Sequence, residues 1–159
     1  MNKMSNKPDA KKTSYPESSV VAYCLHDAPG ATAGAEYSTS RLVEAIEEGL
    51  AVEELEVLRA GLDMPMEKLA SRLGISKATL HRRKRTGRLG PEESDRVLRF
   101  ARLTGKAVEV FETKENARRW LSSPQAGLGG AVPLDYAETE IGAREVEDLL
   151  GRIEYGVYS

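Results

Sequence analysis

The chain has 159 residues, of which 40% are hydrophobic and 30% charged, a balance that suits a globular protein and excludes a collagen-like or wholly disordered one. Its longest apolar run, Val20 to Leu25, has six residues, far below the ~20 that a membrane helix needs, so no membrane partner is expected. The formal charge is only −2, which by itself neither favours nor excludes a polyanionic partner.

The charge is unevenly spread. From Met66 to Lys106 there are twelve Lys/Arg against four acids, a surplus of eight positive charges. From Leu134 to Ser159 there are two Arg against seven acids, a surplus of five negative charges. A cationic middle and an anionic end point to two kinds of partner. Cys24 is the single cysteine, so no intrachain disulfide forms and a reducing cytoplasm is the expected location. The opening residues Met1 to Ser14 are polar and lysine-bearing, with no apolar segment behind them, and are expected to be neither a signal peptide nor an anchor. With His26, His81 and Cys24 as the only soft ligands, no metal-ligand spacing emerges.

In chain order, residues 1–37 are expected to be a flexible or weakly ordered arm, in which Val20 to Leu25 is either a short strand or a turn of helix packed on the rest. Residues 28–34 read as a loop. The cluster Ser38–Ser40 caps a helix from Arg41 to Gly49. A second helix runs from Val52 to Ala60, with Val52, Leu55 and Leu58 on one face and Gly61 ending it. Pro65 opens a short helix from Met66 to Leu73, Gly74 breaks it, and Ser76 caps the next, Lys77 to Thr86. Pro91 starts a longer helix to Phe111, striped by Val97, Leu98, Phe100, Ala101, Val108 and Phe111. Thr113 caps a helix carrying Ala117, Trp120 and Leu121, stopped before Pro124. A Gly-rich connector covers 126–131. The last helix, Ile141 to Tyr155, shows Val146, Leu149, Leu150, Ile153 and then Val157 at helical spacing.

The segment MEKLASRLGISKATLHRRKR, starting at Met66, meets the steric demands of two helices crossing at a tight turn. Ala70 is small where the second helix approaches the first, and Gly74 sits where the chain leaves the helix with φ > 0. Leu69, Leu73, Ile75 and Leu80 supply a small shared core, and Ser76 caps the helix whose N-terminal end meets base edges in a helix-turn-helix. Lys77, Thr79 and Arg82 or Arg83 are assigned to bases, and Lys84, Arg85 and Arg88 to phosphates. A merely solvated basic face is the competing reading, and the Ala70–Gly74–Leu80 framework weighs against it. His81 is read as a surface or capping histidine.

No Ser/His/Asp or Cys/His arrangement presents itself, and the plentiful carboxylates fall on expected helix surfaces, so no enzyme activity and no cofactor are expected. The run Gly127-Leu128-Gly129-Gly130 lacks the spacing and the preceding strand of a dinucleotide fingerprint. It reads as a connector.

The helix-turn-helix together with GRLGPEESDRVLRFARL (from Gly87) and ARRWLSSPQAGLGGAVPLDYAETEIGAREVEDLLGRIEYGVY (from Ala117) resembles the Xre/MbcA/ParS antitoxins, the antitoxin halves of RES-type toxin–antitoxin pairs. The resemblance covers about Arg41 to Tyr158. Its most specific words are Trp120-Leu121, Leu128-Gly129, Pro133-Leu134, Thr139-Glu140-Ile141-Gly142 and Gly151-Arg152-Ile153 with Gly156. It implies an all-α helical bundle with a Cro/Xre-like helix-turn-helix over 38–106 and a toxin-binding module over 107–159. It also implies inhibition of a RES-domain, NAD-consuming toxin, autorepression at operator DNA and a homodimer.

With Trp120 and the stripe Val146–Ile153 read as core, the candidate toxin contacts are Arg144, Glu147, Asp148, Arg152, Tyr155 and Tyr158. Val157 and Tyr158 are expected to reach into the toxin's nucleotide cleft, with the acidic helix against it. A free-standing helix-turn-helix regulator without a toxin is the alternative. So is a toxin inhibitor whose helix-turn-helix serves only as scaffold.

Overall fold

The computed structural model describes residues 19–25 and 38–156. They fold into α1 (Val20–Cys24), α2 (Thr39–Glu48), α3 (Glu54–Leu62), α4 (Met66–Arg72), α5 (Lys77–Thr86), α6 (Pro91–Phe111), α7 (Lys114–Leu121), a 3-10 turn (Ala126–Leu128), α8 (Pro133–Tyr136) and α9 (Glu140–Glu154). Among the described residues there is no strand, only an isolated bridge between Ala51 and Arg88. The all-α expectation holds.

Helix α6, about 31 Å long at 1.5 Å per residue, is the axis of the molecule. Pro91 starts it, with φ pre-set and no N–H to leave unsatisfied. Glu93 closes the first turn by accepting from the Gly90 amide at 2.8 Å. Val97, Leu98, Phe100, Ala101, Leu103 and Ala107 along it are all buried. Around it pack α1, α2, α3, α7 and α9, so the segment before residue 106 and the segment after it share one hydrophobic cluster. Each fully buried Leu or Phe in such a cluster contributes about 1.5–3 kcal/mol.

Of the arm expected over 1–37, Ser19–Leu25 is built into that core, and 1–18 and 26–37 lie outside the described residues. The open choice between strand and helix resolves as helix. Val21 and Ala22 are buried against α6 and α3, and a five-residue helix is held there by a side chain from elsewhere. The Glu54 carboxylate accepts from the amides of Val20 at 3.0 Å and Val21 at 3.2 Å and from the Ser19 hydroxyl at 2.7 Å. The Ser19 hydroxyl in turn accepts from the Ala22 amide at 3.0 Å. A buried carboxylate thus fills the orphan donors of α1.

The expected stop of the second helix at Gly61 is corrected by the structure. α3 continues to Leu62, and Asp63 takes the left-handed conformation that ends it, at φ 51°. Gly61 is buried for a different reason: a Cβ there would lie 2.6 Å from Cδ1 of Leu25. Glycine here admits α1 against α3 rather than terminating a helix. Two of the last carbonyls of α3 accept from a remote cap, since the Arg118 guanidinium of α7 donates to Gly61 O at 2.8 Å and Ala60 O at 3.1 Å.

The connector expected over 126–131 is a closed turn. The Gln125 amide donates to Ala131 O at 3.0 Å, and the Gly130 amide donates to Gln125 O at 2.9 Å. Gly129 and Gly130 carry the positive φ this needs. Behind it lies α8, a single turn absent from the sequence expectation, which buries Pro133 and Leu134. α8 and α9 meet so closely that a Cβ on Gly142 would fall 1.7 Å from Tyr136 O. In α9, Val146 and Leu150 are buried as expected, and Leu149 is half-buried against Gly127.

Candidate nucleic-acid and partner-protein interfaces

The helix-turn-helix is α4, a bend at Leu73–Gly74, and α5. Leu69, Ala70, Leu73 and Ile75 are buried, Leu80 half so, and Gly74 turns the chain at φ 68°. The Ser76 hydroxyl accepts from the Thr79 amide at 3.1 Å, capping α5. Gly87 ends it in the left-handed region, its amide donating to Arg83 O. Two helices of seven and ten residues are too short to stand alone. They are held by this core and by contacts from α6, where the Arg96 guanidinium donates to Leu73 O at 3.1 Å.

The residues assigned to DNA separate into two groups. Lys77, Arg82, Lys84 and Arg85 are exposed, and none is tied by a hydrogen bond or ion pair to another described residue. The other three are engaged within the fold. Arg83 donates through Nε to Glu93 Oε2 at 2.9 Å and through a terminal nitrogen to Oε1 at 3.3 Å. The Arg88 guanidinium donates to Gly49 O at 2.8 Å, beside the Ala51–Arg88 bridge. Thr79 is half-buried, its hydroxyl bonded to that of Ser76 at 3.0 Å. Ala78, His81, Arg82 and Arg85 follow the spacing i, i+3, i+4, i+7 and form the outward stripe of α5. His81 belongs to that stripe. Its reading from sequence as a surface histidine agrees with its exposure, but its place in the stripe is defined only once the buried side of α5 is known.

The candidate partner contacts also divide. Arg144 and Glu147 line a groove of about 420 Å³ between α2, α6 and α9, together with Leu42, Ile46 and Arg102. Arg144 is paired with Glu140 at 2.6 Å along the helix surface. Asp148 lies on the outer face of α9, and Tyr155, the residue that caps its C-terminal end, is exposed. Arg152 is half-buried, and its Nε is out of contact with solvent and has no hydrogen-bond partner among the described residues. Val157 and Tyr158 lie outside the described residues. Trp120, expected in the core, is half-buried against Phe111, with ring centroids 5.3 Å apart. Ile141 and Tyr136, which the sequence reading did not name as partner contacts, are exposed large side chains of the same segment. Among the described residues no cluster of His, Cys, Asp and Glu has metal-site geometry.

Comparison with known proteins assigns these two surfaces to two known domains. Residues 41–102 match the antitoxin Xre-like helix-turn-helix domain, and residues 106–156 match the antitoxin Xre/MbcA/ParS C-terminal toxin-binding domain. Antitoxin Xre of Yersinia enterocolitica is 40% identical over 120 residues, covering 74% of this chain and 81% of that protein. The chain belongs to the Xre antitoxin family. It is an antitoxin of a toxin–antitoxin system, with a DNA-binding helix-turn-helix and a toxin-binding domain. Antitoxin Xre of Photorhabdus laumondii is 40% identical over 74 residues, 46% of this chain and 50% of that protein. A more distant relative, the Prs ADP-ribosylating antitoxin of a Sphingobium species, is 27% identical over 127 residues, 74% of this chain and 80% of that protein.

The boundary between the two matched domains falls inside α6. A single uninterrupted helix therefore carries both, and Arg72 of α4 pairs with Asp135 of α8 across the two. α1 precedes both matched segments and is nonetheless core. No helix among the described residues is long and apolar enough to cross a membrane.

Proposed function

We propose that this Xre antitoxin binds and inhibits a RES-domain toxin that consumes NAD, and that as a homodimer it binds operator DNA through α5 and represses its own operon. The observation that carries the proposal is the pairing of two oppositely charged, outward surfaces on one continuous framework. Lys77, Arg82, Lys84 and Arg85 are exposed on α5, while α9 and its approach carry Glu138, Glu145, Glu147 and Asp148 exposed. A duplex attracts the first by counterion release. A basic nucleotide-binding cleft attracts the second.

The RES partner rests on the family resemblance carried by Thr139–Gly142 and Gly151–Ile153. The name of the Sphingobium relative adds ADP-ribosylation, a transfer for which NAD is the usual donor. Arg144, Glu147, Asp148, Arg152, Tyr155, Val157 and Tyr158 are the proposed toxin contacts. Arg82 contacts bases with Lys77 and Thr79, and Lys84, Arg85 and Arg88 contact phosphates, with Arg83 acting as a brace for α5. Two recognition helices related by a two-fold axis match half-sites one duplex turn apart, which is why a dimer is proposed. The chain inhibits by occupying a surface and performs no reaction of its own. Its place of action is the cytoplasm.

The test is co-expression with the product of the neighbouring gene. Co-purification with a RES-domain protein and rescue of growth is the expected result, and a chain that purifies alone while binding DNA would favour a free-standing regulator.

A further inference from the structure

Helix α9 has three kinds of surface. Gly142, Ala143, Val146 and Leu150 are buried against α6 and α8. One flank is already neutralised by ion pairs, Arg144 with Glu140 at 2.6 Å and Glu154 with Lys106 of α6 at 2.9 Å. The remaining surface includes a ridge at i, i+4, i+7 and i+14, Ile141, Glu145, Asp148 and the C-cap Tyr155, all exposed, with the half-buried Arg152 between Asp148 and Tyr155 and the exposed Glu147 beside it. Positions at this spacing lie within about 40° of Ile141 on either side, an arc of about 80° around the helix axis. Ile141 is 76% exposed and Tyr155 81%, the two most exposed large hydrophobic side chains among the described residues. An isoleucine held in water at a helix start whose cap is already made by Thr139, through the Gly142 amide at 3.0 Å, does nothing for the fold.

We propose that this ridge is the surface the toxin covers, with Ile141 and Tyr155 as apolar anchors and Glu145 and Asp148 as the charged middle. The inference rests on the toxin-inhibiting reading above. It names the residues and the complementary chemistry within a domain known only to bind toxin. Fourteen residues at 1.5 Å each put the anchors about 21 Å apart. The matching toxin face therefore has two apolar pockets at that separation with lysine or arginine side chains between them, a helix laid along a groove and read at its two ends. Aromatic and aliphatic anchors seated in pockets dominate such interfaces, and each anchor typically accounts for about a thirtyfold or larger change in affinity when truncated. Acid residues between them speed encounter and fix register.

The experiment uses the full chain and the RES-domain product of the neighbouring gene, with affinity measured by titration for wild type, Ile141→Asp, Tyr155→Ala, the double variant and Glu145→Lys/Asp148→Lys. Operator affinity and melting temperature serve as controls for folding. The expected result is at least about tenfold weaker toxin binding for each single anchor and more than about a hundredfold for the double variant, with both controls unchanged. Charge reversal is expected to slow association and to weaken its salt dependence. If wild type binds the RES-domain protein and the double variant binds within about threefold of it, the ridge is not the interface while the toxin-inhibiting reading stands. If wild type binds no RES-domain protein, that reading falls and the ridge proposal with it.

Discussion

Arg83 of the DNA-binding helix and Glu93 of α6 form a two-pronged ion pair, at 2.9 and 3.3 Å, and the same carboxylate accepts from the Gly90 amide at 2.8 Å. Both side chains are largely shielded, at 27% and 13% exposure. A cation that sequence places among five others, Lys77, Arg82, Lys84, Arg85 and Arg88, is thereby a brace that fixes how α5 leaves the framework. Arg82, its neighbour, points outward.

The two arginines should therefore fail differently. Arg83→Ala is expected to lower stability by about 1–2 kcal/mol, as a partly buried charged hydrogen bond is lost and Glu93 is left with one partner fewer. Arg82→Ala is expected to leave stability within about 0.5 kcal/mol. It should weaken operator binding, lowering the salt slope by about 0.9 if the contact is to phosphate and relaxing sequence preference if it is to a base. Urea melts and anisotropy titrations across a salt series separate the two. A stable Arg83→Ala protein with a shallower slope would reverse the assignment.

Glu54 holds α1 in the core, and its removal leaves the Val20 and Val21 amides and the Ser19 hydroxyl without an acceptor. Glu54→Ala is expected to cost about 3 kcal/mol, and Ser19→Ala, which loses the cap on Ala22 and one of the three donors to Glu54, about 1–2 kcal/mol. Chemical denaturation reads both. An unperturbed Glu54→Ala protein would mean α1 is dispensable.

Three glycines in helices should respond with different signs to alanine. At Gly151 nothing lies within 4 Å of an added Cβ, so Gly151→Ala is expected to stabilise by about 0.5–1 kcal/mol through helix propensity. Gly61→Ala drives a methyl into Leu25, and Gly142→Ala drives one into the Tyr136 carbonyl. Both are expected to destabilise, by about 1–3 kcal/mol at Gly61 and by more at Gly142, where the obstacle is backbone. Thermal melts of the three variants check the order.

Burial pushes the Cys24 thiol up from 9.0 to about 11, with Arg102 opposing the shift and Glu54 adding to it. The folded state then holds this proton more tightly than the unfolded chain. Its contribution is fully present below pH 9 and is lost as pH rises from 9 toward 11. Stability should decline over that window, and less so in Cys24→Ala. Alkylation at pH 8 should be slow in buffer and fast in urea. Rapid labelling of the folded protein would contradict a buried thiol.

What was legible in the sequence follows from how local each signal is. The helix-turn-helix could be read because its determinants, Ala70, Gly74, Ser76 and the Leu69–Leu73–Ile75 core, act within one or two turns. Helix starts at Ser38, Ser76, Pro91 and Thr113 were equally local and fall where the helices begin, while the last helix, expected from Ile141, starts one residue earlier behind its cap Thr139. Gly61 misled because a glycine that ends a helix and one that admits a side chain look alike until Leu25, thirty-six positions earlier, is seen against it. α1 and α8 are too short for periodicity to show. Arg83 could not be told from Arg82 because its partner lies on another helix. The ridge on α9 became visible only once Gly142, Ala143, Val146 and Leu150 had claimed the opposite side.

The intracellular NAD pool of cells expressing the neighbouring RES-domain protein, with and without this chain, tests the inhibitory role most directly. Co-expression of the full chain is expected to restore NAD to the level of cells lacking the toxin, and the Ile141→Asp/Tyr155→Ala chain is expected to leave it depleted. An NAD pool that falls equally with and without the wild-type chain would contradict the account.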